Sequence, residues 1–273
     1  GDSAIFVPGT NVPTNIAQVN LRYLSLNNSN GLNLTNRLRV NDSLDLINGN
    51  IVLNNQNLIV GPNANIGNNF AASYIVCNGN GAVRLRYNAV NIGTRRVPIG
   101  DPLSYSYAEF NLTTGTLGNG AYISVRTLAS DAPNISSPLN KIERHWVVDG
   151  VNITSPNYSA SFLYDDGDVI GSESDLSLQL YNGSTWIHYA TANTSQNTLA
   201  GTGITQFGTY TAFDKEAIES AQTGQWNQNS TWVGGVIPST TDQALIVSPH
   251  TITLTANTKA GGINIATGAS LDI

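Results

Sequence analysis

Apolar pairs separated by one residue recur through the first ninety positions and keep a common register. They are Leu24/Leu26, Leu32/Leu34, Leu38/Val40, Leu44/Leu46, Ile51/Leu53 and Leu58/Val60. Side chains of an extended chain alternate between two faces, so each pair reads as the inward side of a short strand. Leu24 precedes Leu44 by twenty residues, as Leu38 and Val40 precede Leu58 and Val60, while Leu32/Leu34 precede Ile51/Leu53 by nineteen. Ala64/Ile66 extend the first row by another twenty and Phe70/Ala72 the second by nineteen. Three strands per period of about twenty residues predict a parallel β-helix over 1–97, because one turn cannot bury its apolar side alone and stacked turns can. Asn28, Asn48 and Asn68, again twenty apart, predict a corner column whose amides bond along the stack.

The rhythm changes at 98. Candidate strands 105–112, 121–127, 141–148, 158–164, 176–181, 186–189 and 208–213 are separated by Gly, Pro and Asp turns. They predict an antiparallel, immunoglobulin-like β-sandwich over 98–213, with Trp146, Phe162, Tyr164, Trp186 and Phe207 in its core or rim. "DKEAIESAQ" (214–222) has helical character with Asp214 as N-cap, and 214–223 reads as a connector.

Beyond 224 the apolar pairs return as Leu245/Val247, Ile252/Leu254, Ile263/Ile265 and Leu271/Ile273. Leu245 lies eighteen before Ile263, and Ile252 nineteen before Leu271. The segment 224–273 therefore reads as a capping loop and the first turns of a second β-helix. Those eight residues form an assembly end, completed by the following residues of a longer polypeptide or by the first coil of another copy. Trp226 and Trp232 fall directly before the first turn. There they cap an open coil end, whose strand edges invite pairing, or offer a stacking platform to sugars.

Charged residues make up only 11% of the chain, and Asn, Ser and Thr supply its polarity. With a net charge of −6 and its few basic residues scattered, the chain has no footprint for nucleic acid. No apolar run is long enough to span a bilayer. Cys77 stands alone, which excludes a disulfide within the chain and reads as a small buried hydrophobe. The chain has no methionine, which points to a processed product or a piece of something longer.

Motifs of enzymatic chemistry are missing: there is no HExxH, CxxC, GxSxG, Walker loop or GxGxxG. His145, His188 and His250 read as strand or turn residues. In "YDDGDVIGSESD", Asp165, Asp166, Asp168, Glu173 and Asp175 alternate with glycine as candidate calcium ligands, since calcium takes six to eight oxygens from a flexible loop. Asp42 and Asp45 are the acids that could share a face of the first coil, as a β-helical polysaccharide-degrading enzyme would need.

"LRYLSLNNSNGLNLTNRLRVNDSLDLINGNIVL", "VPIGDPLSYSYAEFNL", "IERHWVVDG", "YDDGDVIG", "ITQFGTYTAFD" and "GQWNQNSTWVGGVIPSTTDQALIVSPHTITL" together resemble the repeated modules of large surface proteins of Bacteroidetes-type bacteria. The resemblance implies a β-helix followed by a sandwich, export by the type IX route, and a role as adhesin, gliding-associated filament or stalk. It also marks Ser3 in "DSA" and Ser43 in "DSL" as candidate O-glycosylation sites. The resulting expectation is a non-enzymatic building block at the cell surface whose partners are copies of itself and surface glycans. A carbohydrate-binding module is the alternative and a β-helical polysaccharide enzyme the third reading.

Overall fold

A computed structural model describes residues 3–6, 18–68, 72–90, 92–135, 140–214, 217–240, 242–255, 258 and 260–273. The fold is all-β and contains a β-solenoid; the helical segments among these residues are single 3₁₀ turns. The chain divides into two units, 1–213 and 214–273.

The first unit opens as a parallel coil. Strand Ser3–Phe6 pairs with Gln18–Asn27, which pairs with Arg37–Asn48, with Leu24 opposite Leu44 and Leu26 opposite Leu46. Leu38 stacks on Leu58 and Val40 on Val60, while Leu32 stacks on Ile51. All of these residues are buried in one continuous core. Gly31 and Gly49 turn a corner with φ of +72° and +89°, where an added Cβ would run into the backbone of the adjoining turn.

The expected period holds for the first turns and then lengthens. Leu44 pairs with Ile66 rather than Ala64, because a tight turn closed by the Ala64 N–H on the Gly61 carbonyl (3.1 Å) inserts two residues. Ile75, not Phe70, stacks on Ile51, and Val83 stacks on Leu58, so these turns span twenty-four and twenty-five residues. Ala72 is exposed, and Phe70 lies outside the described residues. The buried columns are kept while the corner loops grow, because loops absorb insertions that a packed core does not.

The asparagine column is also displaced. Asn28 folds back on itself, its Oδ1 accepting the Asn30 N–H (3.1 Å) and its Nδ2 donating to the Gly31 carbonyl (3.2 Å). The ladder runs instead through Leu34, Asn54 and Asn78. Asn54 Nδ2 donates to the Leu34 carbonyl (3.1 Å), and Asn78 Nδ2 to Asn54 Oδ1 (2.9 Å). Asn50, Asn55 and Asn57 likewise accept the backbone N–H groups of Tyr74, Asn80 and Ala82 on the next turn. These contacts satisfy donors at corners that the strand ladder leaves open.

The coil passes without a break into antiparallel pairing. The expected boundary at 97/98 falls inside strand Gly93–Gly100, which continues the coil through Ile99 opposite Ile75 and also pairs antiparallel with Tyr105–Leu128. Tyr105–Leu128 then pairs antiparallel with the coil strand Val83–Arg86 and, along most of its length, with His145–Leu163. Thr198–Ile204 and Gly208–Asp214 add to His145–Leu163. Of these, Thr198–Ile204 is absent from the sequence expectation; its Gly201 and Gly203 give it no clear apolar alternation. Phe110, Trp146, Tyr158, Phe162 and Tyr210 are fully buried here, and the Trp146 and Phe162 rings lie 4.8 Å apart. Trp186 and Phe207 are half-buried at the rim.

The second unit holds two ladders of three parallel strands each. One is Ile218–Glu219, Gln243–Ile246 and Gly262–Ile265; the other is Gly224–Gln225, Thr251–Thr253 and Ser270–Asp272. The helical connector expected over 214–222 is therefore wrong. Ile218 pairs with Ala244 as the first strand of this coil, and Ser220 bridges to Trp232. Tertiary pairing overrides a helix propensity that amounts to only tenths of a kcal/mol per residue.

Candidate functional site

The inward residues of the Gln243–Ile246 strand are Ala244 and Ile246, both fully buried. Leu245 and Val247, expected inward, lie on the opposite face and are half-buried. A shift of one residue exchanges the two faces of a strand. Ile263 stacks on Ala244 and Ile265 on Ile246, continuing the buried columns by one turn. In that turn they are 39% and 49% exposed, because no described strand lies beyond Gly262–Ile265. Ile252 is buried opposite Leu271, Leu254 and Leu271 are half-buried, and Ile273 is exposed. The assembly residues thus divide into a buried set and an open apolar edge carried by Ile263 and Ile265.

Trp226 and Trp232 are each 2% exposed. Their rings meet edge to face with centroids 4.8 Å apart, and Trp232 Nε1 donates to the Trp226 carbonyl at 2.7 Å. With Ala244, Ile246 and Ile252 they make the core of the second unit. A sugar ring has no face of either indole to stack on, so the glycan-platform reading of this pair is withdrawn.

The five acids of the proposed calcium loop do not converge. Among the described residues no group of three or more His, Cys, Asp or Glu is placed to hold a metal ion. Asp165 caps its own turn by accepting the Gly167 N–H (2.9 Å), and Asp166 accepts from Asn197 Nδ2. Glu173 accepts the Tyr164 hydroxyl (2.7 Å), and Asp175 a hydrogen bond from the Ser174 hydroxyl (3.3 Å). Asp168 turns inward to Arg144. The loop is a built turn whose carboxylates are each used locally.

Arg144 is the residue that the sequence conceals. It is 1% exposed, and its Nε donates to Asp168 Oδ2 (2.5 Å) while Nη2 reaches Asp101 Oδ2 (2.6 Å), Ser104 Oγ (2.6 Å) and Asp168 Oδ1 (3.2 Å). Asp101 also accepts the backbone N–H groups of Leu103 (2.7 Å) and Ser104 (3.2 Å), and the Thr211 hydroxyl donates to the Arg144 carbonyl. The Tyr74 hydroxyl donates to the Asp101 carbonyl, which ties the last coil turn to the same cluster. Its partners lie 43 and 24 residues away in sequence, so no local pattern announces them.

Burial pushes the Asp101 carboxyl up, but the Leu103 N–H, Arg144 and Ser104 outweigh it and hold the group below the usual carboxylate range. Burial likewise works against the Arg144 charge, and Asp168 and Asp101 more than restore it. A carboxyl depressed in the fold contributes stability above its unfolded pKa of about 3.9, and that stability is lost as pH falls through the folded value. The urea midpoint is therefore expected to drop steeply below about pH 4, and Asp101→Asn to flatten that acid limb relative to its own value at pH 7. An unchanged acid limb in the variant would show that Asp101 carries none of it.

The remaining candidates have local partners. Asp42 pairs with Arg22 (2.7 Å), and Asp45 accepts from Ser43 (3.1 Å). Ser3 pairs with Tyr23 and Tyr23 with Ser43, so the two candidate glycosylation positions fall in one column of the coil. His145 Nδ1 contacts the Ser130 carbonyl (2.9 Å), His188 Nδ1 contacts Ser177 and Gln179, and His250 Nδ1 contacts the buried Ser220 hydroxyl (2.9 Å). Burial pushes the Cys77 thiol up to about 11, which leaves it a poor nucleophile. No helix among the described residues is long and apolar enough to cross a membrane. Comparison with protein-family models, curated proteins and solved structures returns no match.

Proposed function

We propose that the chain is a structural, non-enzymatic building block of an extracellular adhesin or filament at the cell surface, joined to its neighbour through coil edges. The observation that carries this reading is the open turn of the second unit. Ile263 and Ile265 prolong columns that are fully buried one strand earlier, and among the described residues strand Gly262–Ile265 has a ladder on one side only. A further parallel strand would cover both isoleucines and satisfy the backbone groups along that edge. The strand Ser3–Phe6, paired only with Gln18–Asn27 among the described residues, is the matching edge, whether the neighbour is another copy or a tandem module of a longer polypeptide.

A contact between two different edges is heterologous, so it propagates rather than closes. In this reading the antiparallel region is an immunoglobulin-like sandwich set on a coil whose first turns take about twenty residues and whose later turns are longer. The resemblance to Bacteroidetes-type surface modules supplies the extracellular setting.

Sedimentation velocity and negative-stain microscopy of the 273-residue chain test the joint. Concentration-dependent oligomers or fibres are expected, and Ile265→Lys is expected to abolish them by placing a charge against the next turn. A chain that stays monomeric at high concentration, or a variant that assembles as the parent does, would remove the proposal.

A further inference from the structure

The arginines, dispersed in sequence, are collected by the strand registers. Along the outer face of the first unit, Arg39 lies beside Ile59, Ile59 beside Arg84, Arg84 beside Ser124, and Ser124 beside Asp149. The adjoining rows place Arg86 opposite Tyr122, Arg126 opposite Val147, and Arg37 one alternate position along its strand from Arg39. Five of the nine arginines thus share one face. Among the described residues none of the five forms an ion pair, whereas Arg22 pairs with Asp42, Arg96 with Glu109, and Arg144 with Asp101 and Asp168. Burial lowers the Arg86 pKa, and the charges of Arg39 and Arg84 lower it further, as expected of cations gathered without counter-charges.

Between the rows lies a groove of about 300 Å³ bordered by Asn57, Asn80, Arg84, Ser124, Arg126 and Asp149. Arg126 Nη1 is held by Asn80 Oδ1 (3.3 Å), and the Arg84 guanidinium lies 4.9 Å above the Tyr122 ring. Arg84 Nε is a buried donor with no acceptor among the described residues. A buried donor left without an acceptor is unfavourable, and a guanidinium turned toward a bound carboxylate would satisfy it.

We propose that this face binds an acidic polysaccharide, with Arg84 and Arg126 clamping a carboxylate of a uronic-acid unit. The fork of a guanidinium matches the two oxygens of a carboxylate. Asn57, Asn80 and Ser124 offer amide and hydroxyl groups to sugar hydroxyls, and Asp149 accepts from them. A carboxylate at the groove's end opposes a polyphosphate and suits a ligand that carries hydroxyl donors next to its anion. Arg39 and Arg84 stand two strands apart, about 10 Å by the spacing of sheet strands, which suits a chain charged at regular intervals. The site uses neither coil edge, so it stands or falls separately from the assembly proposal.

Titration calorimetry with polygalacturonate oligomers tests it, with neutral dextran, a sulfated dextran and a single-stranded oligonucleotide as comparisons. Polygalacturonate is expected to bind with an affinity that falls as salt rises, and dextran not to bind. Arg84→Ala with Arg126→Ala is expected to weaken binding roughly tenfold or more, the scale of one lost charge-assisted hydrogen bond. Arg84→Lys is expected to lose affinity as well, because it keeps the charge without the fork. Arg22→Ala, which removes a charge elsewhere, is expected to leave affinity unchanged, and thermal melts establish that each variant is folded. Absence of polygalacturonate binding, equal loss in the Arg22 variant, or tighter binding of the oligonucleotide or the sulfated glycan would overturn the assignment.

Discussion

Replacing Arg144 by methionine is expected to destabilise the first unit by about 3–5 kcal/mol, the usual consequence of removing one partner from a buried ion pair. The methionine fills much of the space, so packing loss is a small part of the effect. What remains is Asp101 and Asp168, 7% and 11% exposed at their side chains, without the cation that lies between them. Asp101 keeps the N–H groups of Leu103 and Ser104, and Asp168 keeps that of Asp165. Those dipoles do not replace a full charge.

The triple variant Arg144→Met, Asp101→Asn, Asp168→Asn is expected to be more stable than Arg144→Met alone, because it removes the uncompensated charges with the cation. Urea unfolding at pH 7 reads both effects. A single variant within about 1 kcal/mol of the parent would place the cluster among those ion pairs that contribute little. A triple variant no better than the single would show that packing, not charge, dominates.

The two kinds of order in the molecule differ in how visible they are in sequence. Leu24, Leu38, Leu44 and Leu58 announce their stacking, because the inward column of a coil repeats in sequence at the length of one turn. That visibility ends where the turn length changes. Nothing in the run from Ile51 to Ile75 says that the next turn takes twenty-four residues, so Phe70/Ala72 were the nearest match to a fixed period. The slip at Leu245 has the same origin. Ala244 is too small to register as an apolar partner of Ile246, and the more apolar Leu245/Val247 pair occupies the neighbouring alternation.

Side chains that act across long separations leave no such trace. Arg144 meets its carboxylates only because the Asp101 turn and the Asp168 turn arrive at the same place. The arginine face is hidden for a related reason. Arg39, Arg84 and Arg126 sit on strands with different neighbours, and only the register from Arg39 through Ile59 and Arg84 to Ser124 aligns them. The acidic run at 165–175 illustrates the opposite hazard. Its density in sequence suggested a metal site, while the fold spends each carboxylate on a separate donor.

Trp232→Ala is expected to unfold the second unit at 25 °C while leaving the first intact. Removing a buried tryptophan costs about 3–5 kcal/mol in transfer and cavity terms. The segment 214–273 has a fully buried apolar core of Trp226, Trp232, Ala244, Ile246 and Ile252. A core of that size supplies roughly 3–5 kcal/mol of net stability, so the substitution consumes all of it. The loss also strips the Trp226 carbonyl of its indole donor and removes the edge-to-face contact between the rings.

Unfolding would be local, because the aromatic cluster around Trp146, Phe162 and Tyr210 belongs to the other unit and shares no residue with this core. Limited proteolysis read by mass spectrometry is the direct measurement: cleavage confined to positions beyond 213, with a resistant fragment ending near Phe213. Trp232→Phe, which keeps most of the ring volume but not the donor, is expected to lie between the parent and the alanine variant. Loss of protection in both units together would mean that 214–273 is not an independent folding unit. Undiminished protection of 214–273 would mean that the tryptophan pair is not what holds this short coil closed.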